Sequence, residues 1–548
     1  MRSKDNWRRF AGEWLIPAAI AVAALALRAA LASPARVVWG DEPFYLWDGY
    51  NLASGRGYTF FNGRPDVYLT PLYPLVIASL YLILHNLELA SRLCYILFGA
   101  ALVLPIYGLA EEMYGRRTAL IAAVLLAVYP ALTAAELYWG TMTEPLYFLT
   151  LYAGLYATLR ALRYGGWKAH TAAGALFALA YLTRGEGIAL IAAVGGALIL
   201  IRLCERRLFS RQVWPRLLAM FGVFLALAFP YWLYLRLQTG RWMISGQAGM
   251  TYITCISLAY GDVAGFDQAT WGLDPASGEV YFFSPAMASF SMLDHIRSDP
   301  LAFARLVYHN ARDFLGTLFT WRMFPIWLVP FLTLGLFGAP WDKQRAKGEL
   351  VLLASITPAL SFIFFFVQER YIGSVLPLLI IWTAHGIDRW AGWAGETLAG
   401  WWGKGPAPGT WRTWLAGALA VLLAALSLWM MPRAAATTSL GSFRPAHRAA
   451  GLWLAEHIQP GDTVMSRYPA IAFHAGAAWV PTPNASIPDV LAYAYAHGAD
   501  YFVLDERETR TLRPQLAPLL DVQEMPGLRR LAELEDEGAR IVIFRLEK

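Results

Sequence analysis

The sequence predicts a polytopic α-helical membrane protein, crossing the bilayer about eleven times and ending in a small soluble α/β domain. Three observations predict it. The 548 residues are 57% hydrophobic and only 15% charged, whereas a soluble domain carries about a quarter charged residues, so the excess apolar surface needs lipid to cover it. Apolar runs near the length that spans a bilayer as a helix, about twenty residues, recur from Trp14 to Met431. From Phe443 onward the composition turns soluble.

The first run, Trp14 to Ala32, follows the basic segment MRSKDNWRRF. It is longer than the apolar core of a secretory signal, so it reads as an uncleaved first helix despite the small residues of ALA-SPA. Further runs lie near 89–110, 117–132, 144–162, 170–183, 186–203, 217–235, 314–338, 349–367, 371–388 and 411–431. Pro71 to Leu84 (PLYPLVIASLYLIL) is shorter and interrupted by Pro74. Whether it crosses sets the side of every later loop, and loop charge decides. If it does not cross, about twenty Lys and Arg side chains gather on one face, while the short turns of the other hold only Arg184 and Arg370. That asymmetry is the positive-inside pattern. The expected topology therefore puts the N-terminus inside and the C-terminus outside a cytoplasmic membrane, with 71–84 lying along the outer interface.

The expected organisation is a transmembrane domain over 1–432 and an outer soluble domain over 443–548. Within the first, 33–88 forms an outer loop with juxtamembrane helices and 237–310 a large outer loop. In the tail, the amphipathic RPAHRAAGLWLAEHI precedes a strand-like TVMS, VLAYAYAHGAD precedes YFVLDE, and IVIFRLE follows near the end. Cys94, Cys204 and Cys255 make no disulfide framework, and there is no zinc-type spacing, Walker loop or GxGxxG. No nucleic-acid partner is implied. His474 and His497 read as structural or surface residues.

Ionisable residues gather in the predicted outer turns, at the edges of apolar helices where desolvation is costly and function is the first suspicion. Asp41 and Glu42 stand in VVWGDEPFYLWDGYNLASGRGY, Glu136 and Glu144 in AELYWGTMTEP, Arg184 and Glu186 in YLTRGEG, and Glu369, Arg370 and Tyr371 in VQERY. Carboxylates can orient an acceptor hydroxyl or take its proton, and arginines can hold a phosphate bidentately as it departs. Tyr45, Trp47 and Tyr50 can stack on a sugar ring. Each feature alone has a bland reading: a solvated acidic pair, a hydrated Arg-Glu turn, an interfacial salt bridge beside a belt tyrosine. Their occurrence on one side of the membrane favours a site.

These motifs, together with PLYPL, MYGRRTALIAA, TEPLY and QERYIGSVLPLL, resemble the GT-C superfamily of lipid-linked-sugar glycosyltransferases over roughly residues 14 to 390. Within it the chain is similar to the branch of protein mannosyltransferases and the aminoarabinose transferase of lipid A, glycosyltransferase family 39 type. The resemblance implies Asp41 as the catalytic carboxylate with Glu42 as its companion, and Glu144 as the second acidic site. It nominates Arg184, Glu186, Arg370 and Tyr371 for the donor-phosphate cavity. Many relatives carry a lysine where this chain has Thr70, so Arg56, Arg64 or Arg184 must supply that contact. A divalent metal held by Asp41 and Glu144 is compatible with the superfamily but not required by any spacing, and no other cofactor is implied. The expected partners are a polyprenyl-phosphate-linked sugar donor, a glycan, lipid or protein acceptor, and membrane lipid. A lipid-linked-sugar flippase or transporter and a non-catalytic scaffold are the rival readings.

Overall fold

A computed structural model describes residues 2–34, 36–135, 140–284, 291–402, 405–436, 445–536 and 538–547. The chain is a multi-pass helical membrane protein that ends in a sheet-containing domain. Among the described residues, seven helical segments are long and apolar enough to cross a bilayer: Glu13–Leu31, Leu87–Tyr114, Gly187–Cys204, Trp214–Thr239, Lys343–Phe364, Glu369–Trp401 and Pro408–Ala434. The expected count of eleven is not reached on those criteria, and the shortfall has local causes. The run at 117–132 is the 12-residue helix Arg116–Ala127 followed by a single turn at Pro130–Leu132, where the proline has no amide to continue the ladder. The run at 170–183 is a 17-residue helix. The run at 314–338 is divided between Pro300–Leu318 and Val329–Phe337, with Pro325 in the break.

The segment read as interfacial forms the helix Leu72–Leu84, whose 13 residues rise about 20 Å, too little to span a core of about 30 Å. It packs against the helix Glu42–Ala53, where a Cβ at Gly49 would meet Ile77 at 2.6 Å. Small residues bring other helices together as well. A Cβ at Gly335 would lie 1.9 Å from the Trp382 carbonyl, and one at Gly386 1.8 Å from that of Phe331. Val329–Phe337 and Leu376–Trp401 thus pack backbone to backbone, the contact that glycine permits between membrane helices.

At the end of the bundle away from Asp41, buried carboxylates are satisfied by fixed cations. Asp388 takes both arms of Arg412 at 3.0 and 2.7 Å, and Arg117 at 3.3 Å. Glu349, fully buried, accepts from Arg345 at 3.1 Å, from the Trp382 indole at 2.9 Å and from Tyr114.

The C-terminal domain contains a six-stranded sheet in the order β2-β1-β3-β6-β5-β4. Its strands are β1 (Thr463–Ser466), β2 (Ala478–Pro481), β3 (Tyr501–Asp505), β4 (Glu524–Met525), β5 (Leu528–Asp536) and β6 (Ala539–Leu546). β1 runs parallel to β2 and β3, and the remaining pairs are antiparallel. The domain is not tethered loosely. One apolar cluster joins Phe44 and Phe60 near Asp41, Trp271 of the large loop, and Trp479, Phe502 and Phe544 of the domain.

Candidate active site

Gly40, at φ 60, turns the chain so that Asp41 becomes the N-cap of the helix Glu42–Ala53, with Pro43 in its first turn. The two adjacent carboxylates then meet different surroundings. Glu42 is fully buried and accepts from the Trp39 and Thr141 amides, each at 3.2 Å, from the Thr141 hydroxyl, and from Arg36. It pins the Asp41 turn to the segment before Glu144. Asp41 is half exposed, 48% at its side chain, and receives Arg370 Nη2 at 3.0 Å. It is the reachable carboxylate of the pair.

The arginines converge on one aromatic ring. Arg370 stands 4.8 Å above the ring of Tyr371, while Arg184 approaches the same ring at 5.4 Å. Tyr371 is held in turn by stacking on Phe362, 4.2 Å away and nearly parallel. Arg184 terminates the helix Trp167–Thr183 in an extended conformation and cannot follow the helical axis. Its guanidinium therefore turns toward Glu144 at 2.7 Å, the Thr143 hydroxyl at 3.1 Å, and Glu186. Burial opposes the Arg184 charge, but Glu186 and Glu144 outweigh it and raise its pKa. Tyr45 lies where these fields meet. Burial first, then Asp41, raise its phenol pKa, whereas Arg184 and Arg370 act against them. Thr70, at the position of the relatives' lysine, donates to the Thr183 carbonyl at 2.6 Å and fastens the first loop to the Arg184 turn.

The structure thus brings together Asp41, Tyr45, Glu144, Arg184, Glu186, Arg370 and Tyr371. Glu369 points elsewhere, pairing with Arg322 at 3.1 Å, although both it and Arg370 line one pocket with Glu144. Arg64 pairs with Glu279 of the large loop at 2.9 Å and is half exposed, and Arg56 lies over Tyr50. Trp47 packs against Phe61 and Phe473, and Tyr50 against Tyr81, so these rings are engaged with protein. Glu136 falls outside the described residues.

Two groups had no signal in the sequence. Cys255, on the helix Gln247–Ala259 of the large loop, sits in the fields of Asp41 and Arg370, and burial pushes its thiol up to about 11. Asp48 and Asp66 are both fully buried, and each acts electrostatically on the other. Asp66 also accepts from the amides of Tyr68 at 2.6 Å and Leu69 at 3.0 Å. Burial, reinforced by Asp66, holds the Asp48 carboxyl well above the usual range.

Asp41 and Glu144 do not make a fitting metal site. Each is already neutralised by its own arginine, Arg370 and Arg184 respectively. A divalent ion would have to displace a guanidinium from each.

A family model described as dolichyl-phosphate-mannose-protein mannosyltransferase matches residues 66–234, the stretch holding Glu144, Arg184 and Glu186. Among solved structures, ArnT from Cupriavidus metallidurans bound to undecaprenyl phosphate superposes with a TM-score of 0.56 at 16% identity, covering 97% of this chain and 98% of that one. The fold is that of the GT-C glycosyltransferases. The same GT-C fold is matched in the Archaeoglobus fulgidus oligosaccharyltransferase tethered to an acceptor peptide, with TM-score 0.52, 16% identity, and 94% and 72% of the two chains covered. It is matched again in the mycobacterial arabinofuranosyltransferase AftD, with TM-score 0.53, 14% identity, 98% of this chain and 42% of that one. No curated protein sequence matches. At these identities it is the GT-C architecture that is shared.

Proposed function

We propose that the protein transfers a sugar from a polyprenyl-monophosphate donor to an acceptor hydroxyl at the outer face of the cytoplasmic membrane. The observation that carries this reading is the half-exposed Asp41 bound by Arg370, which with Arg184 flanks the ring of Tyr371. Asp41 accepts the proton of the acceptor hydroxyl while its oxygen bonds to the anomeric carbon from the face opposite the phosphate. The carbon–oxygen bond to phosphate breaks, its electron pair leaves with the lipid phosphate, and the anomeric configuration inverts. Arg184 and Arg370 stabilise the departing charge, where fixed guanidinium groups in a dry site act most strongly. Placing Arg370 between base and phosphate ties the two halves of the reaction to one side chain. ArnT, matched above, was solved with undecaprenyl phosphate, which supports a donor of that class here.

An apolar surface against which an isoprenoid tail can lie adjoins the site: Leu125, Trp321, Leu328, Ile380 and Leu423 line a shallow pocket that shares Met323 with the one lined by Arg370. The transporter alternative needs polar groups free to work at mid-membrane. Arg28, within the first helix, is instead engaged by the carbonyls of Tyr95 and Leu132, and Arg322, in the turn after Leu318, pairs with Glu369.

The test is Asp41→Asn, assayed in purified full-length protein against a panel of undecaprenyl-phosphate-linked sugars. Loss of a general base lowers turnover by about 10²–10⁴, while undecaprenyl phosphate binding stays near the parent's. Near-parental turnover in correctly inserted protein would refute the assignment.

A further inference from the structure

Besides Tyr45, two further rings stand near Asp41. Trp39 stands two residues before it, and Tyr468 reaches it from the C-terminal domain, their ring centroids 5.0 Å apart at 66°. Tyr468 follows the end of β1, a strand paired in parallel on both sides, and such strand ends are where α/β domains present ligand-binding side chains. Several contacts hold it there. Arg467, nearly buried, places its guanidinium 4.3 Å from the Tyr468 ring and donates to its hydroxyl at 3.4 Å. Arg467 is itself held by Asp267 of the large loop at 2.8 Å and Glu508 at 3.1 Å. Asp267, fully buried, also takes Arg513 at 2.9 Å and Asn484 at 2.9 Å.

Because Arg467 donates to the Tyr468 oxygen, the phenolic proton remains to be given. Trp39 and Tyr468 are only partly buried, and the Asp41 carboxylate acts electrostatically on the Tyr468 hydroxyl. An aromatic wall beside one hydroxyl donor and one carboxylate acceptor matches a single ligand chemistry, a ring with an apolar face and a rim of hydroxyls.

We infer that Trp39 and Tyr468 form a subsite for a sugar ring beside Asp41, so that the C-terminal domain supplies a substrate-contacting residue. The inference rests on the glycosyl-transfer reading for its meaning, but its test is a binding measurement that needs no turnover. The sugar belongs either to the donor or to the acceptor.

Full-length protein in lipid nanodiscs is titrated with undecaprenyl phosphate, with undecaprenyl-phosphate-linked pentoses and hexoses, and with free methyl glycosides observed by saturation-transfer NMR. Tyr468→Phe removes the hydroxyl and keeps the packing, and Trp39→Leu removes the wall. If the subsite holds the donor sugar, both variants bind the lipid-linked sugar roughly threefold to tenfold more weakly, the worth of one hydrogen bond or ring contact. Undecaprenyl phosphate itself then binds as before. If it holds the acceptor sugar, both lipids bind normally and the methyl-glycoside signal given by the parent is lost. Unchanged binding of all three probes in both variants overturns the subsite. So does equal weakening of undecaprenyl phosphate, which would mean a general disturbance of the fold. Parental turnover in Asp41→Asn would remove the base assignment and leave these binding results standing.

Discussion

At the scale of single residues, the adjacent carboxylates Asp41 and Glu42 show how position divides two similar side chains. Glu42→Gln should act on stability rather than chemistry. It removes the charge that partners Arg36 in a buried setting, where breaking one side of an ion pair costs about 3–5 kcal/mol. A lowered thermal unfolding midpoint, with turnover per folded molecule within a few-fold of the parent's, is the expected result. Arg184→Ala should weaken undecaprenyl phosphate binding by about 1.5–3 kcal/mol, the worth of a charge-assisted contact. Arg184→Lys should recover only part, since a point charge cannot match a fork. Parental affinity in the alanine variant would move the phosphate role to Arg370. Asp48→Asn should be tolerated or stabilising, since burial beside Asp66 already disfavours the charge of the carboxyl it replaces. The acid and arginine motifs were legible in the sequence because membrane-edge charges are rare and therefore conspicuous. Asp48 and Asp66 were not, because a polar residue within an aromatic loop looks solvated until burial is known. Trp47 looked like a sugar platform for the converse reason, since sequence does not say which aromatics meet one another.

At the scale of elements, the periodicity of apolar runs located the helices well but not their breaks. Pro130 and Pro325 sit within or beside runs that read as continuous, and each interrupts a helix in the structure. In the tail, TVMS is β1, YFVLDE covers β3 and all but the last residue of IVIFRLE lies within β6. β5, with the sequence LRRLAELED, escapes notice because its leucines and charges also satisfy a helical repeat. Its strand state is decided by pairing with β6, a contact that local sequence does not contain. Glycine carries a prediction at this scale. Gly386→Leu would force apart helices whose backbones nearly touch, with overpacking costing about 1–3 kcal/mol. Reduced thermal stability of the purified membrane protein would report it, and a parental melting curve would count against the close approach.

At the scale of the whole molecule, the C-terminal domain is seated on the first loop through groups that respond to pH. The buried His474 accepts the Val38 amide at 3.3 Å through Nε2. Burial, then Arg448 and Arg36, lower its pKa to about 3, from an ordinary value of about 6.5. Glu88 lies 3.6 Å from its other nitrogen but is committed to Arg448 at 3.0 Å. Undocked or unfolded chain therefore binds a proton below about pH 6.5 that the native form refuses. Stability should fall as pH drops from about 6.5 toward 3. His474→Gln, which keeps an acceptor without titrating, should flatten that fall in a pH series of thermal melts. An unchanged slope would place the acid sensitivity elsewhere, with Glu506 next in line. Arg540 hydrogen bonds hold its carboxyl at about 2, so its contribution is present above the usual carboxylate range and lost as pH approaches 2.

The contact between Val38 and His474 joins positions 436 residues apart, and that separation imposes an order on biosynthesis. The loop bearing Asp41 emerges early, yet the aromatic faces of Phe44, Phe61 and Trp271 meet Trp479 only once the sheet domain has been made. Until then those faces are unfinished apolar surface, the kind that chaperones and proteases inspect. A nascent chain halted before residue 445 would carry Asp41, Arg184 and Arg370 and still lack the cover of its own first loop. The order of the first loop thus arrives late, and a ribosome-release time course should show protease resistance of that loop appearing only after the sheet domain is synthesised.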